Sequence, residues 1–269
     1  MKRRPLASLL ASSLLACSIS ANAQSGAIKH GMIILVGDST MATLNGYGDV
    51  VCSKVAPGVE CLNLAKNGRS SKSFRAEGLW DDVLAHLKNI TPGLPAYVLI
   101  QFGHNDQPGK TGRSTDLQTE FPNNMTRYVT ELRQAGATPV LVTPLTRRTF
   151  KGDTLEPDLE PWAQATRAVA QAQGVLLVDL YAQSYVAVQS MGQAQADTLA
   201  MDAHLAPGLA GIERAVATAS ATAPAPAQPL ANSKFDRTHL GHKGADYFGD
   251  MMVRALVSVE GLSRLVKAD

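Results

Sequence analysis

The feature that most constrains the fold is an alternation of short apolar runs with helical patterns along the chain. The runs predicted to be β-strands are Met32–Val36, Val59–Leu64, Tyr97–Phe102, Pro139–Val142 and Val175–Asp179. The patterns predicted to be helices are Leu79–Lys88, Asn123–Gln134, Pro161–Gln173 and His242–Val259. Mostly apolar strands separated by helices are typical of a parallel sheet covered on both faces. We therefore predict an α/β fold, a doubly wound flavodoxin-like sandwich of about five parallel strands.

The first 23 residues have the pattern of a secretory signal peptide. Basic residues at positions 2–4 precede an apolar run over 5–16, which is too short to span a bilayer, and a small-x-small cleavage site ends at Ala23. We expect cleavage after Ala23 and a secreted or periplasmic protein. The alternative is a lipid anchor on Cys17, because residues 14–17 weakly resemble a lipoprotein processing box. Residues 24–269 then form a single domain with an Ala/Pro-rich loop at 206–233.

Charge excludes two classes of partner once the signal segment is set aside. The whole chain has 25 Lys and Arg, of which three lie in that segment, so 22 remain against 23 Asp and Glu and the net charge is near −1. A near-neutral chain is not typical of a general nucleic-acid or membrane-surface binder. We therefore expect no nucleic acid and no membrane contact unless Cys17 is lipidated. We also expect a monomer.

Two cysteines remain after cleavage, Cys52 and Cys61, nine positions apart. In an oxidising compartment this spacing favours a Cys52–Cys61 disulfide over two separate buried thiols.

Polar residues follow the first three predicted strands. Ser39 comes directly after the first, Gly68 follows the second and Asn105 follows the third. Ligands of doubly wound sheets bind beyond the carboxyl ends of the strands, so these residues are expected at one edge. A serine is a nucleophile only beside a base, and Asp236 and His239 have the spacing at which a carboxylate fixes its own histidine. Taken singly, each of these residues is more simply explained as part of a turn.

Four short blocks together resemble the SGNH or GDSL-type hydrolases. They are GDST at 37–40, NGRS at 67–70, GHND at 103–106 and DRTH at 236–239. Longer stretches resemble the rhamnogalacturonan or pectin acetylesterase branch of that family: residues 63–80, 100–110 and 140–148. The resemblance is weak over 190–233.

The resemblance implies an SGNH-hydrolase fold and a role for each matched residue. Ser39 would be the nucleophile, His239 the general base and Asp236 the residue that orients it. The oxyanion hole would consist of the Ser39 N–H, the Gly68 N–H and the side-chain amide of Asn105. Members of the acetylesterase branch remove acetyl groups from pectic polysaccharide with no cofactor and no metal, so acetylated pectic polysaccharide is the expected partner of this chain.

Two questions stay open at this stage. The substrate is expected to be acetylated rhamnogalacturonan or pectin; the alternatives are another acyl ester (xylan, another acylated glycan, a lipid or a thioester) and a non-catalytic carbohydrate-binding protein. Arg69, Arg147 and Arg148 follow strand ends and would form a basic rim that binds galacturonate carboxylates. Ordinary surface charge explains these arginines equally well.

Overall fold

The computed structural model describes residues 30–202 and 235–267. Within them the strands are β1 (Gly31–Gly37), β2 (Val59–Asn63), β3 (Ala96–Gln101), β4 (Thr138–Val142), β5 (Phe150–Lys151), β6 (Thr154–Leu155) and β7 (Leu176–Val178). Five of these strands form a parallel sheet in the order β2-β1-β3-β4-β7, and β5 and β6 form a separate antiparallel pair. The predicted five-stranded doubly wound sheet is confirmed. The predicted signal peptide and the Ala/Pro-rich loop at 206–233 lie outside the described residues.

Helices cover both faces of the sheet. They are α1 (Gly48–Ser53), α2 (Ser73–Ala76), α3 (Leu79–Lys88), α4 (Glu120–Gln134), α5 (Glu160–Gln173), α6 (Leu180–Asp197) and α7 (His242–Val257). Alternate residues of each strand enter opposite cores because strand side chains point to opposite faces. Ile33 and Leu35 of β1 pack with α1, α6 and α7, whereas Ile34 and Val36 pack with α3, α4 and α5.

Helix α6 is a long element of which the sequence predicted only the end, as a possible helix over Gln193–Leu205. It follows β7 directly, and the Asp179 side chain accepts a hydrogen bond from the Ala182 N–H at its start. The helix is interrupted at Gly192, whose φ of 70° and ψ of 168° are not helical. Because of this interruption, the apolar residues of α6 form no continuous stripe along the helix. Such a stripe is the sequence signal that indicates a surface helix.

A disulfide joins Cys52 in α1 to Cys61 in β2, with 5.3 Å between their Cα atoms. It ties the first helix to an edge strand of the sheet. Among residues 30–202 and 235–267, no helix has the length and apolar character required to cross a membrane.

Candidate active site

Ser39 lies in a buried turn directly after β1. The Asp38 carboxylate holds this turn, since its Oδ1 accepts hydrogen bonds from Thr40 N at 2.9 Å and Thr40 Oγ1 at 2.8 Å. Gln101, at the end of β3, donates to Thr40 Oγ1 at 2.7 Å and accepts from the Tyr47 hydroxyl at 2.6 Å. The turn is therefore fixed to the sheet by buried side chains, as a preorganised nucleophile requires.

Asp38 also joins the Ser39 turn to the loop that carries Asn105. Its Oδ2 lies 3.1 Å from Nδ1 of His104, and both side chains are buried. Burial alone would raise the pKa of Asp38, but the His104 imidazole and the hydrogen bonds from Thr40 together hold that pKa below its usual value. The ionised carboxylate thus links two neighbouring strand ends.

Gly68 and Asn105 lie side by side next to this turn. The loop after β2 is joined to the end of β1 by a hydrogen bond from Lys66 N to Gly37 O at 3.0 Å. Gly68 has a φ of +76°, a conformation that glycine adopts without strain. Asn105 Nδ2 donates to Arg69 O at 3.1 Å, which uses one of its two hydrogens.

The main-chain N–H groups of Ser39 and Gly68 are free within the protein. In the part of the chain that the structure describes, neither donates a hydrogen bond to another group of the protein. With the second hydrogen of the Asn105 amide, they supply the donors that an oxyanion hole needs.

Asp106 fixes the loop that carries Asn105. Its carboxylate accepts hydrogen bonds from Ser71 N, from Ser71 Oγ at 2.6 Å and from Thr115 Oγ1 at 3.2 Å. Burial raises the pKa of Asp106 to about 7 despite these donors. The buried Asp106 side chain therefore holds the Asn105 loop in place through its hydrogen bonds to Ser71 and Thr115.

Asp236 and His239 form the pair that their spacing predicts. His239 Nδ1 lies 2.6 Å from Asp236 Oδ2, while Asp236 Oδ1 accepts from Thr238 N at 2.8 Å and His239 N at 3.0 Å. The hydrogen bond from the His239 side chain holds the pKa of Asp236 far below its usual range, so the carboxylate stays ionised. No group of three or more His, Cys, Asp and Glu residues with the arrangement of a metal site occurs in the described ranges.

The Asp236–His239 pair is anchored at the same edge of the sheet as Ser39. Leu240 N donates to Asn45 O at 2.9 Å, and Asn45 lies in the loop that follows Ser39. Arg148, which follows β4, donates from Nη2 to His239 O at 2.7 Å. The structure thus brings the two halves of the predicted site to one edge.

The predicted arginine rim is wrong for Arg148, which is fully buried. Its guanidinium contacts the main-chain oxygens of Thr238 and His239, and burial lowers its pKa to about 10. A buried side chain of this kind supports the histidine loop from behind and does not face a substrate. Sequence reasoning missed this role because a buried and an exposed arginine look identical in a sequence.

The other two predicted rim arginines already have carboxylate partners. Arg69 forms an ion pair with Glu77 at 2.7 Å on an exposed surface. Arg147 pairs with Asp158 and also donates from Nε to Thr238 Oγ1 at 3.2 Å. Arg147 is therefore held beside the histidine loop, and its charge is partly compensated.

The candidate site combines a serine on a rigid turn, free N–H donors and a histidine backed by a carboxylate, all on a doubly wound sheet. This combination defines a serine-type carboxylic ester hydrolase. The family model described as GDSL-like Lipase/Acylhydrolase matches residues 35–246, which include all four blocks. The chain belongs to this family.

Curated relatives agree with this placement, and a solved structure shares the fold. The chain is 34% identical over 175 residues to rhamnogalacturonan acetylesterase RhgT of Bacillus subtilis. The aligned region covers 62% of this chain and 72% of the relative. It is 30% identical over 176 residues to the probable rhamnogalacturonan acetylesterase YesY of the same organism, with coverage of 63% and 79%. The crystal structure of the B. subtilis protein YXIM shares the fold, with a TM-score of 0.62 and 22% identity; it covers 85% of this chain, and this chain spans 56% of that protein.

Proposed function

We propose that the protein is an exported acetylesterase that hydrolyses acetyl esters on pectic polysaccharide, rhamnogalacturonan or pectin, through a serine acyl-enzyme. The two B. subtilis relatives at 34% and 30% identity, named as rhamnogalacturonan acetylesterases, support the substrate class. The signal pattern over 1–23 supports export, and the Cys52–Cys61 disulfide fits an oxidising compartment.

In the acylation half of the proposed reaction, neutral His239 removes the Ser39 hydroxyl proton as Ser39 Oγ attacks the acetyl carbonyl carbon. The carbonyl oxygen becomes an oxyanion, which accepts hydrogen bonds from Ser39 N–H, Gly68 N–H and the Asn105 amide. Each such donor lowers the barrier by about 3 kcal/mol in comparable sites. The sugar hydroxyl then leaves with the proton from His239, and acetyl-Ser39 remains.

Deacylation repeats these steps with water as the nucleophile. His239 removes a proton from water, the hydroxide attacks the acetyl carbon, and collapse of the second tetrahedral intermediate releases acetate and returns the proton to Ser39. Asp236 stays ionised throughout and accepts a hydrogen bond from His239 Nδ1–H, which stabilises the imidazolium.

The observation that carries this proposal is the 2.6 Å hydrogen bond between Asp236 and His239, at the edge where Ser39 and Gly68 have free N–H groups. A binding protein would not need a carboxylate-backed histidine at the same edge of the sheet as a serine on a rigid turn. The same geometry fits esters other than acetyl esters, so the substrate requires its own measurement.

The test combines one variant with a substrate panel. Ser39→Ala should keep its unfolding midpoint, lose nearly all turnover and lose covalent labelling by a serine-directed phosphonate. Ser53→Ala is the matched control, because Ser53 is an exposed serine at the end of α1. Acetate release should be fastest from acetylated rhamnogalacturonan or pectin, compared with acetylated xylan, chitin and butyrate esters. Substantial turnover in Ser39→Ala would refute the mechanism, and a preference for xylan or for longer acyl chains would refute the substrate.

A further inference from the structure

Two cations beside the candidate active site have no carboxylate partner among residues 30–202 and 235–267. They are Lys110 and Arg113, both partly buried in the loop after the Asn105 block. Most other arginines near the site are neutralised or buried, as Arg69 and Arg148 are. Two cations without a carboxylate partner leave positive charge beside the site that is available to an anionic ligand.

Arg113 lies directly against the oxyanion donors. Its Nη1 donates to Gly68 O at 3.2 Å and lies 3.5 Å from Asn105 Oδ1. A tight turn places Lys110 next to it, since Arg113 N and Ser114 N both donate to Lys110 O at 2.9 Å. The Arg113 guanidinium is therefore held beside the position where the ester carbonyl would bind, and the turn keeps Lys110 close to it.

Arg147 extends this positive charge to the histidine side of the site. Its Nε contacts Thr238, the residue before His239, while Asp158 pairs with its Nη1. Burial, and then the charges of Arg147 and Arg113, lower the pKa of Lys110. Three cations thus lie within electrostatic reach of one another, and we call Lys110, Arg113 and Arg147 the basic patch. Asp158 compensates one of these charges.

We propose that the basic patch binds the carboxylate of a uronic acid residue in the substrate, located on the acetylated sugar or on its neighbour. Guanidinium and ammonium groups pair strongly with carboxylates, and a ligand carboxylate would relieve the repulsion among the three cations. This inference rests on the proposed function and makes it more specific: the enzyme selects acetyl esters on acidic polysaccharide. The patch keeps Arg147 of the rim that the sequence predicted, and Lys110 and Arg113 take the places of Arg69 and Arg148.

The direct test uses a probe that needs no acetyl group. Non-acetylated trigalacturonate should inhibit 4-nitrophenyl acetate hydrolysis competitively, and its methyl-esterified form, which lacks the negative charges, should inhibit at least tenfold more weakly. Lys110→Met should raise the inhibition constant of trigalacturonate by about tenfold, and Lys110→Glu should raise it further. Added salt should weaken inhibition of the wild type, because partly exposed charges are screened.

The matched control is Lys88→Met, which removes the same charge from an exposed lysine at the end of α3. Lys88→Met should keep the wild-type inhibition constant for trigalacturonate and the wild-type kcat and KM for 4-nitrophenyl acetate. Both lysine variants should keep the wild-type unfolding midpoint. If Lys110→Met fails to fold, Lys110→Gln measured in the same way replaces it.

The outcomes separate this inference from the proposed function. Equal inhibition by the free and the methyl-esterified trisaccharide, or an unchanged inhibition constant in Lys110→Met and Lys110→Glu, would overturn the basic patch. Acetate release from acetylated pectin would in that case still support the proposed function. Charge-dependent inhibition that Lys110→Met weakens, without acetate release from any acetylated carbohydrate, would support the patch and refute the function.

Discussion

Replacement of Arg148 by methionine tests whether the buried guanidinium positions His239, the histidine of the candidate active site. Arg148 donates to His239 O at 2.7 Å and to Thr238 O at 3.4 Å, and its main-chain N–H donates to Arg237 O at 3.0 Å. Methionine fills part of the same apolar space without a charge or a donor. The side-chain contacts are lost in the variant, whereas the main-chain hydrogen bond remains.

The expected effect on stability is small because two terms nearly cancel. A hydrogen bond from a charged donor contributes about 1.5–3 kcal/mol, which the variant loses. Burial lowers the pKa of Arg148 to about 10, which corresponds to a cost of about 3 kcal/mol for burying the charged form. The methionine variant does not have this cost. His239 O keeps a second donor, Met201 N at 3.3 Å, and is not left unsatisfied. We expect the free energy of unfolding to change by less than about 2 kcal/mol.

Turnover should fall far more than stability. Without the guanidinium, the Asp236–His239 loop loses its contact with the segment after β4, and a displacement of about 1 Å costs about 10²-fold in rate. We expect kcat for 4-nitrophenyl acetate to fall by about 10²-fold with little change in KM. Arg148→Lys, which keeps one charged donor, should recover part of that loss.

The assay pairs steady-state kinetics with urea unfolding of the same preparations. Arg133→Met is the matched control, because Arg133 also donates to two main-chain oxygens, those of Gln173 and Gly174, on an exposed surface. Its kcat should equal that of the wild type. A kcat of Arg148→Met within threefold of the wild type would refute the positioning role, as would a loss fully explained by the unfolded fraction.

Two further predictions concern stability. Replacing Cys52 and Cys61 by serine removes a covalent link between residues nine positions apart. The free energy of unfolding should fall by about 2.6 kcal/mol, and the melting temperature measured by calorimetry should fall by about 5–10 °C. An unchanged melting temperature would contradict this prediction. Burial raises the pKa of Asp106 from 3.8 to about 7, so the folded state binds an extra proton between these values and stability should fall as pH rises through that window. In Asp106→Asn that fall should be absent from urea unfolding curves at several pH values, and parallel pH profiles of the two proteins would count against the assignment.

The site is predictable as far as it depends on parallel strand topology. Ser39, Gly68 and Asn105 follow three consecutive predicted strands, and the carboxyl ends of parallel strands meet at one edge. The Asp236–His239 pair is equally local, because a carboxylate three positions before a histidine can reach its Nδ1 within one turn. Both features need only the order of elements and short-range geometry.

Charge pairing was not predictable in the same way. Arg147 and Arg148 are neighbours with similar local sequence, yet one is partly exposed beside Asp158 and the other is fully buried. The contact between Arg148 and His239 joins residues 91 positions apart, and no local pattern encodes it. The predicted rim therefore contained one arginine that faces inward and omitted Lys110 and Arg113.

By itself, the sequence determined the doubly wound sheet, the family and the order in which its chemical groups reach one edge. These follow from hydrophobic periodicity and from short motifs, which are local properties of the chain. Only the tertiary structure decided which N–H groups remain free, which arginine supports the histidine loop and which cations lack a partner. Burial and charge compensation depend on side chains that are distant in sequence and become neighbours only when the chain folds.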